Sequence, residues 1–213
     1  MRSRWATTKS RPRNVLSRPL AVAITGGIAA GKSSMLAAFR AHGAATVSSD
    51  EIVHHLLRDD PDVKASLVER FGERILDDAG VPNRTRIAAI VFDEPDSLAF
   101  LEQLLHPLVS REYLLWREQV AELDDPPPVT VTEVPLLFEA GSEGSFDRIV
   151  VVTAPRKLRE QRRQVPLDNR DDRLIDDGAK AARADFHYVN TGSFEDLDAW
   201  VASVMAELVS GET

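Results

Sequence analysis

The chain has 213 residues, of which 43% are hydrophobic and 28% charged, and it carries a formal net charge of −8. These values predict a folded globular enzyme of one compact unit and exclude wholesale disorder. Cysteine is absent, which excludes disulfides, thiol nucleophiles and thiolate metal sites. No apolar run approaches the roughly 18–20 residues that cross a bilayer, and no signal-peptide core is visible, so we expect a cytoplasmic protein without a membrane partner.

Positive charge is concentrated at the start of the chain. Residues 1–18 contain only basic charged residues, namely Arg2, Arg4, Lys9, Arg11, Arg13 and Arg18. We interpret this segment as a disordered basic tail. The remainder is correspondingly more acidic, which argues against nucleic acid as the main partner.

Five short apolar runs have the length and composition of buried strands. They cover residues 19–25, 44–49, 129–134, 148–154 and 186–189, and helical patterns lie between them. Strands that alternate with helices predict an α/β fold with a parallel sheet of about five strands covered on both faces. We assign residues 19–55, 125–155 and 185–213 to this three-layer core.

Two segments interrupt the alternation. Residues 56–124 show helical spacing alone, which predicts a helical insertion. Residues 156–184 are strongly charged and poor in large apolar side chains, which predicts an exposed, mobile excursion over the core, such as a short lid.

The first strand runs into a loop that matches the phosphate-loop pattern of Gly, four residues, Gly, Lys and Ser. Small residues let successive backbone N–H groups point at phosphate oxygens, and the next helix adds its positive dipole end. Lys32 is predicted to reach the β- and γ-phosphates, and the Ser33 hydroxyl to bind Mg²⁺. The predicted nucleotide-binding residues of this loop are Gly26, Gly27, Ile28, Ala29, Ala30, Gly31, Lys32, Ser33 and Ser34.

Other motifs narrow the class of phosphate-loop protein. The Asn-Lys-x-Asp motif of GTPases and the LSGGQ signature of transporter ATPases are both absent, so a small-molecule kinase remains. Such a kinase needs a group that accepts the proton of the attacking hydroxyl. Asp50, at the end of the second predicted strand, is the candidate base; the alternative is that it only caps the following helix.

Several segments in order resemble one known family, dephospho-coenzyme A kinase. They are "ITGGIAAGKSS", "HGAATVSSDEIVHHLL", "FGERILDDAGVPNRTRIAAIVFDEP", "LEQLLHPLV", "EVPLLFEAG" and "ADFHYVNTG". The resemblance implies ATP-dependent phosphorylation of the ribose 3′-hydroxyl of dephospho-CoA, the last step of coenzyme A synthesis. It also implies that residues 56–124 form a CoA-binding domain.

The resemblance assigns further roles at the level of residues. The family's Asp-Ala-Asp becomes Ser48-Ser49-Asp50 here, so the family's base is retained as Asp50 and its first Asp is lost. Glu133 ends the third predicted strand, where nucleotide-binding proteins often carry an acid for the Mg²⁺ waters. Asn190 joins the nucleotide-binding set, and the predicted substrate-binding residues are Thr25, Asp50, His106, Leu136, Phe138 and Glu139.

The predicted lid departs from the family pattern, because it is shorter and lacks the family's Arg-Ile-x-x-Gln motif. Arg162, Arg163 and Arg170 are candidate clamps for the triphosphate, since guanidinium groups stabilise charge on a transferring phosphoryl. We therefore take Asp50, Lys32, Arg162 and Arg170 as the catalytic set. Two alternatives stay open: another phosphate-loop nucleoside or nucleotide kinase, and a nucleotide-binding homologue with weak or no transfer activity.

Overall fold

The structure is a computed structural model that describes residues 18–91, 94–162 and 175–211. Its centre is one sheet of five parallel strands in the order β2-β3-β1-β4-β5. The strands are β1 (Leu20–Gly26), β2 (Ala45–Ser48), β3 (Val129–Glu133), β4 (Arg148–Thr153) and β5 (Phe186–Val189). The prediction of an α/β fold with a five-stranded parallel sheet is confirmed.

Alternating residues of the central strand serve the two faces of the sheet. Val22 and Ile24 face a large core that α1 (Lys32–Ala41) and α8 (Phe194–Ser210) complete. Ala23 belongs to a second core on the opposite face, with Leu137, Phe138 and Val151. The sheet is therefore the middle of three layers.

Within the described residues, the region between β2 and β3 contains four α-helices with a core of their own, which we call the helical block (residues 49–121). They are α2 (Ser49–Asp59), α3 (Pro61–Phe71), α4 (Arg84–Val91) and α5 (Pro95–Ala121). Leu67, Phe71 and Ile75 lie at the centre of this core, with Ile87 of α4 and Leu105 of α5. A separate cluster of α2 and α5 residues with Val47 and Phe146 joins the helices to the sheet.

The long helix α5 spans both clusters. Leu105 packs against α3 and α4, whereas Val109 and Tyr113 pack against α2. Pro107 lies inside α5, where it lacks the N–H that would bond the carbonyl of Gln103. No helix of the described ranges is both long and apolar enough to cross a membrane.

Two expectations about charged segments need correction. Arg18, assigned to a disordered tail, donates two hydrogen bonds to Asp147 at 2.7 and 2.8 Å, whereas residues 1–17 lie outside the described part. In the predicted lid, the structure describes α6 (Arg156–Arg162) and α7 (Asp177–Ala181). One face of the segment containing α7 is packed, since Ile175, Ala181 and Ala184 lie against the second core, while residues such as Gly178 and Ala179 are exposed.

Candidate active site

The phosphate loop connects β1 to α1 and lies at the carboxyl edge of the sheet. Two glycines make its path possible. Gly26 has φ +145, and a Cβ there would lie 1.9 Å from the carbonyl oxygen of Val152. Gly31 has φ +104, and its Cβ would lie 2.1 Å from Asn190 Nδ2. Both positions therefore require glycine for conformation and for space.

Lys32 reaches back into this loop. Its ammonium donates to the carbonyl oxygens of Gly26 and Gly27 at 3.2 and 3.1 Å. Burial lowers the pKa of Lys32, and the nearby Glu133 carboxylate opposes that effect. The loop thus holds a half-buried cation among backbone groups at the position where the sequence predicted phosphates.

Ser33 and Glu133 meet beside the loop. The Ser33 hydroxyl donates to Glu133 Oε2 at 3.2 Å, and Glu133 is buried at the end of β3. Burial raises the pKa of Glu133, with Lys32 and the Ser33 hydrogen bond opposing it. A hydroxyl and a carboxylate are oxygen donors of the kind Mg²⁺ prefers. In the described ranges, no group of three or more His, Asp or Glu side chains forms a preassembled metal cage.

Asp50 lies in the first turn of α2 rather than at the end of a strand. The strand ends at Ser48, whose hydroxyl accepts the N–H of Glu51 while the Glu51 carboxylate accepts the N–H of Ser48. This capping box makes Ser48 the N-cap and starts the helix at Ser49, within the run predicted as a strand. Asp50 is therefore not the helix cap, and its carboxylate is free to serve another purpose.

Two contacts fix the position of Asp50. The preceding Ser49 hydroxyl donates to the carbonyl oxygen of Glu133 at 2.9 Å, which ties the start of α2 to the end of β3. The side chain of Asp50 is 71% exposed, and Arg84 Nη2 lies 3.4 Å from its Oδ1. The carboxylate is therefore accessible and faces a guanidinium from the helical block.

A cavity of about 260 Å³ opens next to Asp50. One wall comes from α5, and the other from the residues that follow β3, which we call the wall loop (residues 134–145). Its lining is mainly apolar and includes Asp50, Leu101, Leu105, His106, Pro135 and Leu136. The cavity has the mixed character of a small-molecule site, an apolar body with a few polar groups.

The predicted substrate-binding residues divide into two groups. Asp50, His106 and Leu136 line the cavity, and His106 lies inside α5. Thr25 is fully buried, and its hydroxyl donates to the carbonyl oxygen of Pro135 at 3.2 Å. Thr25 therefore holds the wall loop in place without lining the cavity.

Phe138 and Glu139 also face away from the cavity, contrary to the sequence assignment. Phe138 is buried in the second core. Glu139 Oε1 lies 2.7 Å from the ammonium of Lys180. Leu137 and Phe138 turn into the second core, whereas Ala140 and Ser142 beyond them line the cavity again.

The predicted nucleotide contacts outside the loop converge on its outer side. Asn190 is buried, and its Nδ2 donates to the carbonyl oxygen of Ala30 at 2.9 Å. Arg162 donates to Asn190 Oδ1 at 3.1 Å and to the carbonyl oxygens of Ala29 and Ala30 at 3.3 Å. Arg163 and Arg170 lie outside the described residues.

Two residues of the site had no assigned role in the sequence. Arg84 belongs to the quoted segment "VPNRTR", but its proximity to Asp50, 34 residues away, is visible only in the structure. Lys180 lies in a charged stretch, with no local pattern to mark it. A search for basic residues inside family segments could have found Arg84, whereas Lys180 gave no such signal.

A phosphate loop, an adjacent buried acid and a cavity with an exposed carboxylate at the same sheet edge define a phosphate-loop kinase of small molecules. The family model for dephospho-CoA kinase (CoaE) matches residues 20–195. The dephospho-CoA kinase of Frankia casuarinae is 32% identical over 195 residues, which cover 89% of this chain and 83% of that protein. This chain therefore belongs to the dephospho-CoA kinase family.

Solved structures agree with this assignment. A crystal structure of a Thermus thermophilus protein superposes with a TM-score of 0.71 at 32% identity, covering 90% of this chain and 98% of that one. The dephospho-CoA kinase from Campylobacter jejuni gives a TM-score of 0.68 at 25% identity, covering 91% and 98%. The matched residues 20–195 include all five strands and the helical block.

Proposed function

We propose that this protein phosphorylates the ribose 3′-hydroxyl of dephospho-CoA with ATP and thereby makes coenzyme A. The observation that carries the proposal is the placement of the Asp50 cavity and the phosphate loop on one edge of the sheet. The two sites lie on either side of Glu133. Donor and acceptor bound there would meet without a covalent enzyme intermediate, because positioning and charge neutralisation suffice for this reaction.

The phosphate loop is the proposed site of the donor. Its backbone N–H groups and the start of α1 suit the phosphates of ATP. Lys32, which now bonds to the carbonyl oxygens of Gly26 and Gly27, would turn to the β- and γ-phosphates. Burial lowers the pKa of Lys32. A phosphate anion beside the ammonium would oppose this effect and favour its charged form.

Ser33 and Glu133 are the proposed holders of Mg²⁺. The Ser33 hydroxyl would bind the ion, and the Glu133 carboxylate would hold its water ligands. When bound, the ion neutralises charge on the phosphates. Burial raises the pKa of Glu133, and a dication beside the carboxylate would lower it again.

The outer side of the loop is the proposed site of the nucleoside end of ATP. A depression of about 180 Å³ there is lined by Gly31, Arg162, Asn190 and Phe194. Phe194 is 72% exposed, and an exposed aromatic side chain can pack on a planar base. Asn190 fixes the loop that forms the floor of the depression.

Asp50 is the proposed general base. Its exposed carboxylate borders the acceptor cavity, so it can accept the proton of a hydroxyl that attacks the γ-phosphorus. Arg84, 3.4 Å away, would orient the carboxylate. The apolar side chains of α5 in the cavity would contact the long uncharged arm of the acceptor.

We place this reaction in the cytoplasm, with small molecules as its partners. The direct test incubates the purified protein with ATP, Mg²⁺ and dephospho-CoA and follows the acceptor by mass. The proposal predicts that one phosphate is added at the ribose 3′ position. A faster transfer to nucleosides than to dephospho-CoA, or ATP binding without transfer, would contradict it.

A further inference from the structure

A charge pair between the fully buried Lys180 and the partly buried Glu139 joins α7 to the wall loop. The side chain of Lys180 is 0% exposed, and its ammonium lies 2.7 Å from Glu139 Oε1. The same oxygen accepts the N–H of Ile175 at 3.1 Å. An ammonium is costly to bury unless a charge of opposite sign is held beside it. The pair therefore fixes where α7 sits on the wall loop.

This pair is poorly suited to a purely stabilising role. Within the described ranges, the Lys180 ammonium has no acceptor besides the Glu139 carboxylate, and Glu139 Oε2 is buried without a donor. Two apolar side chains of similar volume often stabilise such a position as well or better. The pair is therefore better suited to fixing the position of α7 on the wall loop than to stabilising the fold.

Contacts around the pair strengthen the link to the acceptor cavity. Glu139 lies between Leu136 and Ala140, which both line that cavity. Arg183, just after α7, stacks over the Phe138 ring at 4.1 Å and forms an ion pair with Glu143. The wall loop is therefore attached to the α7 segment at several successive points.

The same helix also approaches the phosphate loop. Asp177 of α7 lies 3.8 Å from Arg159 Nη2 of α6. A Cβ at Gly27 would lie 2.8 Å from Arg159 Nη1 and 3.0 Å from Asp177 Oδ1, so these side chains rest against the phosphate loop. The Lys180 charge contributes to lowering the pKa of Lys32, after the larger effects of burial and Glu133. One short helix thus contacts both loops.

We propose that Lys180 is a positioning residue that, through Glu139, sets the wall loop against the phosphate loop and so aligns the acceptor with the donor. This inference rests on the proposed function, because it concerns the acceptor cavity. Misalignment of reacting groups by about 1 Å can cost about 100-fold in rate. Loss of the pair should therefore lower transfer efficiency even where the fold is intact.

The test removes both charges together, as Lys180→Met with Glu139→Gln. The glutamine oxygen keeps the acceptor for the Ile175 N–H, and methionine keeps most of the apolar stem. We expect a melting temperature close to that of the wild type. We also expect kcat/KM for dephospho-CoA to fall at least about 10-fold, with the KM for ATP within about twofold. Amide exchange in residues 134–145 should become faster.

Single variants and a control complete the design. Lys180→Met and Glu139→Gln alone each leave one member of the pair without its partner, so the melting temperature of each variant should fall. For Lys180→Met, which leaves the Glu139 carboxylate unpaired, we expect a fall of about 10 °C. The control is Lys64→Met, which removes an exposed lysine of α3 and should leave transfer and exchange unchanged.

A stable double variant with unchanged kcat/KM and unchanged exchange in the wall loop would overturn the inference. Amide exchange needs no acceptor, so it decides the inference independently of the reaction. Failure of the wild type to phosphorylate dephospho-CoA would overturn the proposed function alone.

Discussion

Asn190 occupies the space that any side chain at position 31 would need. Its amide nitrogen donates to the carbonyl oxygen of Ala30 at 2.9 Å, and its oxygen accepts the N–H of Gly192 at 3.0 Å. The amide therefore connects the end of β5 to the phosphate loop. The shape of the loop depends on this buried side chain as well as on its own glycines.

The first prediction concerns Gly31→Ala. The added methyl would meet Asn190 Nδ2 at 2.1 Å with φ at +104, so we expect a loss of about 3 kcal/mol of stability and weaker ATP binding. Gly43→Ala is the matched control, since Gly43 has φ +91 and open space around its Cβ position; it should cost about 1 kcal/mol. Urea unfolding measures both. Equal losses would show that the contact with Asn190 is unimportant.

At the scale of residues, the sequence is most informative where the chemistry is local. The phosphate-loop pattern is contiguous, so Lys32 and Ser33 could be located by spacing alone. The proximity of Arg84 to Asp50 could not be predicted, because it depends on how α4 and α2 both pack against α5. Phe138 and Glu139 were misplaced because an apolar side chain in a loop can equally face a cavity or a core.

The capping box at the start of α2 determines where the Asp50 carboxylate lies. Ser48 and Glu51 exchange hydrogen bonds of 3.0 Å in both directions. Asp50 lies between them, so the first turn of α2 and the candidate base share one local geometry. A change at the cap should therefore affect both stability and transfer.

We predict that Ser48→Ala lowers stability by about 1 kcal/mol, as loss of a helix cap does, and lowers turnover with it. Ser48→Thr keeps the hydroxyl and should retain most of both. Ser66→Ala is a control within α3, where the exposed hydroxyl only bonds the carbonyl oxygen of Asp62; its effect should stay within about 0.5 kcal/mol. Thermal unfolding and the transfer assay distinguish the three, and an unaffected Ser48→Ala protein would contradict the role of the cap.

At the scale of elements, the strands were predicted closely because parallel strands buried on both faces form continuous apolar runs. The helices were harder. The spacing of apolar residues did not give the length of α5, which runs for 27 residues with Pro107 inside it, because packing on both sides holds the helix together. The charge of residues 156–184 suggested exposure, whereas Lys180 is buried; only the tertiary partner Glu139 explains that burial.

Across the whole molecule, Arg18 anchors the beginning of β1 to the beginning of β4. Its guanidinium bonds both carboxylate oxygens of Asp147, and Asp147 Oδ2 also accepts the N–H of Ala21 at 2.8 Å. The hydrogen bond from Arg18 is the largest cause that lowers the pKa of Asp147. The pair therefore favours the folded state only while Asp147 is ionised.

We predict that Arg18→Gln lowers stability near pH 7 by about 0.5–1 kcal/mol, a small value because the pair is partly exposed. A lowered folded-state pKa stabilises above the ordinary aspartate value of about 3.9. The difference from the wild type should thus shrink as the pH falls below that value. Arg111→Gln, which removes an exposed pair with the adjacent Glu112, is the control. A difference that grows in acid would contradict this assignment.

We propose that the phosphate loop binds ATP and that Asp50 accepts the proton of the acceptor hydroxyl at the same edge of the sheet. The decisive variant is Asp50→Asn, which removes the base and keeps its shape. Since the side chain is 71% exposed, the protein should stay folded. Asp78→Asn, in an exposed turn of the helical block, is the matched control.

The measurement is single-turnover transfer from ATP to dephospho-CoA, with ATP affinity determined in parallel. We predict that Asp50→Asn slows transfer at least about 100-fold while the ATP affinity stays within about twofold. Transfer at the wild-type rate in a folded Asp50→Asn protein would contradict it.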